Sequence, residues 1–198
     1  MAEKRAEIAM TPDRLPGNFQ WRLKKATDAD IEQAIAKLGC LMNFRRQEAL
    51  RDKLKRYVRK PDRDLFIAVK SDMVLGFTCL MEEAESPIHL PLSTKELLRG
   101  FACATGLFVH SDFRKRGIGG SLVRSWEEWA RERQRSGIWL ITHRMARWYR
   151  QSFGFEAVGR IRVKDVEKTV MARNLFSGRM KNRPDFFTRR ETVDGGID

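Results

Sequence analysis

Residues 100–142 constrain the fold more than any other stretch of this chain. The segment "GFACATGLFVH" reads as a buried strand whose small residues let something approach closely. After it, "DFRKRGIGG" sets Arg114, Lys115 and Arg116 against three glycines within the next four positions. A helical pattern begins there, with Leu122, Trp126 and Ala130 on one stripe, and "GIWLIT" then makes a short, fully apolar run. Strand, glycine turn, helix and strand in that order give a parallel pair of strands flanked by helices.

The turn also has a chemistry. A glycine-rich helix start presents bare backbone N–H groups and the positive end of the helix dipole, which together attract phosphate oxygens. Nearby Arg and Lys add charge-assisted hydrogen bonds. Glycines and arginines also make ordinary turns, so the surrounding chain has to decide between the two readings.

The other elements follow from periodicity and breakers. A short strand at "WRLKKAT" leads to Thr27, which can cap a helix with Asp30 at its third position, and Ile31 and Ile35 then share a face. A second helix is predicted from about 45 to 59, striped by Leu50, Leu54 and Tyr57 and stopped by Pro61. "DLFIAVKSDMVLGFTCLM" holds two apolar, partly β-branched runs and reads as a hairpin. Residues 84–100 read as a polar connection with a capped turn at "STKE". "MARWYRQSF" is a short helix that Gly154 ends, and strands near 155–163 and 166–174 close the order. The expected fold is α/β (α+β), a mixed, mostly antiparallel sheet of six to seven strands flanked by about four helices. A single domain spans 21–175, between an N-terminal arm at 1–20 and a basic tail at 176–198.

Composition sets the class. With 198 residues, 42% of them hydrophobic, the chain can bury one substantial core. No apolar run approaches the roughly 20 residues a membrane span requires, and the first ten residues lack the apolar core of a signal peptide. Cys40, Cys79 and Cys103 have no CxxC spacing and read as reduced core thiols of a cytoplasmic protein. No spacing suits a metal site. The net charge of +13 favours polyanions or anionic small molecules and argues against polycationic substrates.

Two stretches carry a resemblance. "VHSDFRKRGIGGSL" resembles the acetyl-coenzyme A loop of the GNAT superfamily of N-acetyltransferases, whose signature is met here by Arg114, Gly117 and Gly119. "ARWYRQSFGF" is similar to the family's second motif, an alanine followed by an aromatic and Tyr and then by Gly-Phe. The two stand in the family's order, separated by one helix and one apolar strand. The resemblance implies the GNAT fold and transfer of an acetyl group from acetyl-coenzyme A to a primary amine by direct attack in a ternary complex. It implies that backbone N–H groups of Arg116, Gly117, Ile118, Gly119, Gly120 and Ser121 cradle the pyrophosphate, and that Arg114 and Lys115 pair with phosphates. Backbone groups of Leu107, Phe108 and Val109 would hold the pantetheine arm, and an N–H there would polarise the thioester carbonyl. Tyr149 takes the family's acid position, contacting the sulfur; its plainer reading is an aromatic on the core face of a short helix.

The chain also departs from the family pattern. His143 stands where Asn often contacts the cofactor, and it either takes over that contact or merely ends a strand. Where some relatives carry a His or Glu base on the central strand, this chain has Thr105 and Cys103, neither a base at neutral pH. Glu82 and Glu83 follow the neighbouring hairpin strand, and alternation turns one of them to the cleft; Glu85 is a third candidate, and solvated surface carboxylates are the alternative for each. His110 follows Val109 and should point away from the thioester. The acceptor, whether small molecule, peptide or protein, matches no motif. Beside the enzyme stands a second class, a basic nucleic-acid-associated or acyl-coenzyme A-sensing binding protein without turnover, and between them a hybrid, an acetyltransferase whose substrate is carried on RNA or a ribosomal protein. The five tryptophans are spaced for a core better than for base stacking. Family members are often homodimers, though nothing in this sequence shows a pairing surface.

Overall fold

The computed structural model describes residues 19–38, 44–84, 90–163 and 165–176. Seven strands, β1 (Arg22–Lys25), β2 (Arg63–Lys70), β3 (Met73–Met81), β4 (Phe101–Val109), β5 (Gly137–Thr142), β6 (Glu156–Val163) and β7 (Val166–Asn174), form one sheet. Its order is β1-β2-β3-β4-β5-β7-β6, and every pair is antiparallel except β4 with β5. The helices are α1 (Asp28–Leu38), α2 (Phe44–Arg59), α3 (Leu92–Leu97), α4 (Ile118–Glu132) and α5 (Ala146–Phe153). This is the expected α/β class with its single parallel pair. The predicted arm and tail fall outside the described residues except at 19, 20 and 176, as do Cys40 and Glu85.

Local chemistry accounts for most boundaries. At the start of α1, Thr27 N–H donates to Asp30 Oδ2 at 2.8 Å and Asp30 N–H donates to Thr27 Oγ1 at 3.4 Å, a reciprocal cap. Gly154, at φ 66, ends α5 in the left-handed region. The "STKE" turn is a full helix, α3. It starts behind Pro91 rather than at a hydroxyl cap, with Lys95 N–H donating to the Pro91 carbonyl at 3.0 Å.

Alternation along the strands sends side chains to two cores. On one face Phe66, Ala68, Leu80, Ala102, Ala104 and Leu140 pack with Leu122, Trp126 and Trp129 of α4 and Tyr149 and Phe153 of α5. On the other, Leu65, Ile67, Phe77, Cys79, Cys103 and Trp139 pack with Ile31 and Ile35 of α1 and Leu54 and Tyr57 of α2. Of the five tryptophans, Trp21, Trp126, Trp129 and Trp139 are buried, and Trp148 is half-buried against the core that holds Trp126.

Two irregularities in β4 shape its C-terminal end. Its parallel ladder with β5 covers only Phe101 to Ala104, so from Thr105 onward the two strands part. On the other side, Thr78 pairs with Leu107 but Cys79 pairs with Thr105, leaving Gly106 as the extra residue of a bulge. Gly106 sits at φ 79, open to glycine and strained for other residues, and the bulge re-aims the strand end.

Candidate active site

The loop after β4 is built to leave donors free. Phe113 N–H and Arg114 N–H donate to His110 and Ser111 carbonyls, closing a tight 3-10 turn. Gly117, at φ 77, then caps α4 in the left-handed region. The first bond of the helix runs from Ser121 N–H to the Gly117 carbonyl at 3.0 Å. The N–H groups of Gly117, Ile118, Gly119 and Gly120 therefore precede the helical ladder and have no partner within it. Ser121 corrects the expectation: its amide is already engaged in the helix and is not part of the cradle.

The three cations of the loop have different surroundings. Arg114 Nε donates back to the Val109 carbonyl at 3.1 Å, Lys115 occupies a left-handed φ of 58, and Arg116 lies over the ring of Phe19 at 4.7 Å. All three are exposed, so an anion at the mouth of α4 would meet them at the surface.

The two motifs, far apart in sequence, meet at Gly119. A Cβ placed there would lie 3.7 Å from Val109 Cγ2 and 4.0 Å from Trp148 Cη2, so strand end, helix start and α5 converge on one point. Beside it β4 offers Leu107, Phe108 and Val109, whose backbone pairs with β3 on one edge and, among the described residues, with no strand on the other. Tyr149 stands one residue along α5. Trp126, Trp148 and Phe155 cage its ring, with centroids 6.0, 4.9 and 5.7 Å away. Burial pushes its phenol well above the usual value of 10, so the hydroxyl keeps its proton at neutral pH.

On the other face, Thr105 stands half-buried on β4. Its Oγ1 lies 2.5 Å from the hydroxyl of Tyr57 on α2. Burial pushes the Tyr57 phenol up to about 12, with the Thr105 hydrogen bond acting the other way. Sequence reasoning saw Tyr57 only as a member of the α2 stripe. Its polar tip was the available signal, because a buried phenol usually finds a partner. Behind the pair lie the free thiols of Cys79 and Cys103, each pushed to about 12 by burial, which suits packing and not nucleophilic attack.

The carboxylate candidates are elsewhere. Because β3 runs antiparallel to β4 and Met81 pairs with Cys103, Glu82 lies beside the start of β4, roughly 15 Å along the strand from Leu107. There Glu82 Oε1 accepts from Arg133 Nη1 at 2.6 Å and its other oxygen pairs with Arg135. Glu83 is exposed in the same turn. The expectation that one of the two faces the cleft is corrected by this register. His143, exposed at the end of β5, has Nδ1 3.0 Å from the Glu167 carbonyl. That carbonyl only accepts, so Nδ1 carries a proton. His110 accepts from Asp112 N–H at 3.4 Å and caps the 3-10 turn. Among the described residues no cluster of His, Cys, Asp or Glu could hold a metal ion, and no helix is long and apolar enough to cross a membrane.

The sheet parts between its two parallel strands, and the start of α4 lies at the parting. The sequence profile of the acetyltransferase (GNAT) family matches residues 31–155, well over half of the chain, and the protein belongs to that family. Solved structures agree on the fold. Aminoglycoside 6'-acetyltransferase type Ii shares 17% identity at a TM-score of 0.62, over 79% of this chain and 99% of that one. An aminoglycoside 6'-N-acetyltransferase complexed with coenzyme A shares 16% at 0.56, over 82% and 99%. Ard1 from Thermoplasma volcanium shares 18% at 0.57, over 78% and 97%. No curated protein matches the sequence. The residues present fit acetyl-coenzyme A, the family's acyl donor: a run of N–H groups without a partner among the described residues and exposed cations suit its phosphates, and a strand edge left open there suits its amide-bearing arm.

Proposed function

We propose that this chain is an N-acetyltransferase that passes the acetyl group of acetyl-coenzyme A to a primary amine by direct attack within a ternary complex. The observation that supports it most is the convergence of β4, the start of α4 and α5 around Gly119. When bound, acetyl-coenzyme A supplies an acetyl thioester. The N–H groups of Gly117 to Gly120 hold its phosphate oxygens, with Arg114, Lys115 and Arg116 adding charge. The free edge of Leu107 to Val109 receives the pantetheine arm, and an N–H on that edge polarises the carbonyl as negative charge grows there. Tyr149 Oη, protonated at neutral pH, donates to the sulfur as it leaves.

The acceptor approaches from the α2 side, where the Thr105 hydroxyl is bonded to that of the buried Tyr57. Neither is a base near pH 7, so the ammonium first gives a proton to water and the neutral amine attacks. As the C–N bond forms and the C–S bond breaks, the nitrogen releases its second proton through water, which replaces the one that Tyr149 gives to the sulfur. Glu82 and Glu83 have no part in this mechanism.

Isothermal titration with acetyl-coenzyme A and with coenzyme A, beside Gly119→Glu, tests the loop. Glutamate suits the first turn of a helix, and a Cβ there meets only ordinary contacts, so the fold survives while a carboxylate fills the anion cradle. Binding weakened at least 100-fold is expected, with Gly119→Ala close to wild type. Amine-dependent release of free thiol, followed across a panel of acceptors, tests the transfer; binding without release from any amine would overturn it.

A further inference from the structure

We propose that Phe19, which lies outside both motifs, is a positioning residue for the phosphate end of the cofactor site. The inference rests on the proposed assignment of residues 114–120 to phosphate binding.

Phe19 shortly precedes the buried Trp21 and β1. Its ring stacks on Phe113 with centroids 5.8 Å apart and planes 23° apart. The guanidinium of Arg116 lies 4.7 Å from the same centroid, and the ammonium of Lys70, at the β2–β3 turn, lies 4.4 Å from it. Phe113 in turn lies 5.7 Å from His110. One ring thus joins three segments distant in sequence: the lead into β1, the hairpin turn and the loop after β4.

The ring's electron-rich faces attract both cations, which would otherwise repel each other across a short gap. A free surface arginine loses rotamer entropy when it grips an anion. Phe19 removes part of that freedom beforehand, so an incoming phosphate meets a guanidinium already placed. Arg114 is turned back onto Val109 and Lys115 has no aromatic partner among the described residues, so Arg116 is the loop cation whose position the ring sets. Lys70 brings a second charge to the same place.

The test is isothermal titration of wild type, Phe19→Ala, Phe19→Leu and Phe19→Tyr with coenzyme A and with pantetheine, which has no phosphate, each variant first shown to melt cooperatively. Phe19→Ala is expected to weaken coenzyme A about 3- to 10-fold, leave pantetheine unchanged and flatten the salt dependence of coenzyme A binding. Phe19→Leu should follow Ala, and Phe19→Tyr should restore wild-type affinity. Equal losses for coenzyme A and pantetheine would show a merely structural role, and wild-type behaviour of Phe19→Leu would exclude action through the ring's charge distribution. If wild type binds pantetheine but gains nothing from the phosphates, the loop assignment itself fails and this inference with it.

Discussion

Tyr149 and Tyr57 are both buried phenols, yet they stand on opposite faces of the sheet and their substitutions should separate cleanly. Tyr149→Phe removes only a hydroxyl from an aromatic cage that holds its ring from three sides. We expect kcat to fall about 100-fold with the dissociation constant for acetyl-coenzyme A within threefold of wild type, as steady-state kinetics and titration would show. An unchanged kcat removes Tyr149 from the mechanism. Tyr57→Phe or Thr105→Val instead leaves one hydroxyl of a hydrogen-bonded pair alone, at a cost of roughly 1–3 kcal/mol in stability. The double variant should recover part of that loss, a coupling readable from thermal unfolding of the four proteins. Both single variants should raise the KM of the acceptor more than they affect coenzyme A binding.

At the scale of elements, the C-terminal end of α4 is clamped to the sheet. Arg133 donates to Glu82 at 2.6 Å and to Asp64 at 3.0 Å, and Trp129 Nε1 donates to the same Asp64 oxygen at 2.6 Å. Glu82 also pairs with Arg135, so its carboxylate joins two arginines just past the helix. Glu82→Gln should therefore lower the melting temperature by about 2–6 °C, corresponding to roughly 1–2 kcal/mol in a chain of this size, and leave turnover within twofold. A large loss of kcat at unchanged stability would return Glu82 to the catalytic set.

The elements show why some expectations held and others moved. The hairpin, the α4 stripe and the end of α5 at Gly154 are written in periods and breakers that act over a few residues, and the structure has them where the sequence puts them. The helix α3 was under-read because its start depends on Pro91 and not on a hydroxyl cap. Glu82 and Glu83 were misplaced because alternation says which face a side chain takes but not which end of the neighbouring strand it lies beside. That depends on register, which is fixed across the sheet.

For the whole molecule, burial of acidic protons sets the response to alkali. Cys79 and Cys103 rise from 9.0 to about 12, and Tyr57 rises from 10.0 to about 12. In the unfolded chain these groups lose their protons at the lower values, so between about pH 9 and 12 the native state binds more protons than the unfolded one. Their contribution to stability is complete below pH 9 and is lost as pH rises towards 12, at up to about 1.4 kcal/mol per pH unit for each group titrating only in the unfolded state. Denaturant melts at pH 7, 9 and 10.5 should show stability falling across the upper interval, and a Cys79→Ala/Cys103→Ala variant should have a flatter slope. A slope equal to wild type would contradict the burial of these thiols.

The sequence by itself determined the kind of fold, its one parallel pair, the family and the glycine-rich loop that opens α4, because periodicity, capping residues and a glycine-rich helix start act within a few positions of one another. Tertiary structure alone decided what those parts do together. It parted β4 from β5 beyond Ala104, brought Trp148 to Gly119, set Tyr57 against Thr105, drew Glu82 to the far end of the sheet and laid Arg116 over Phe19. Each of these joins residues tens of positions apart, and such contacts follow from strand register and from which helix covers which face of the sheet. Those choices minimise the exposed apolar area and unpaired polar groups of the whole chain at once, so no short window of sequence contains them.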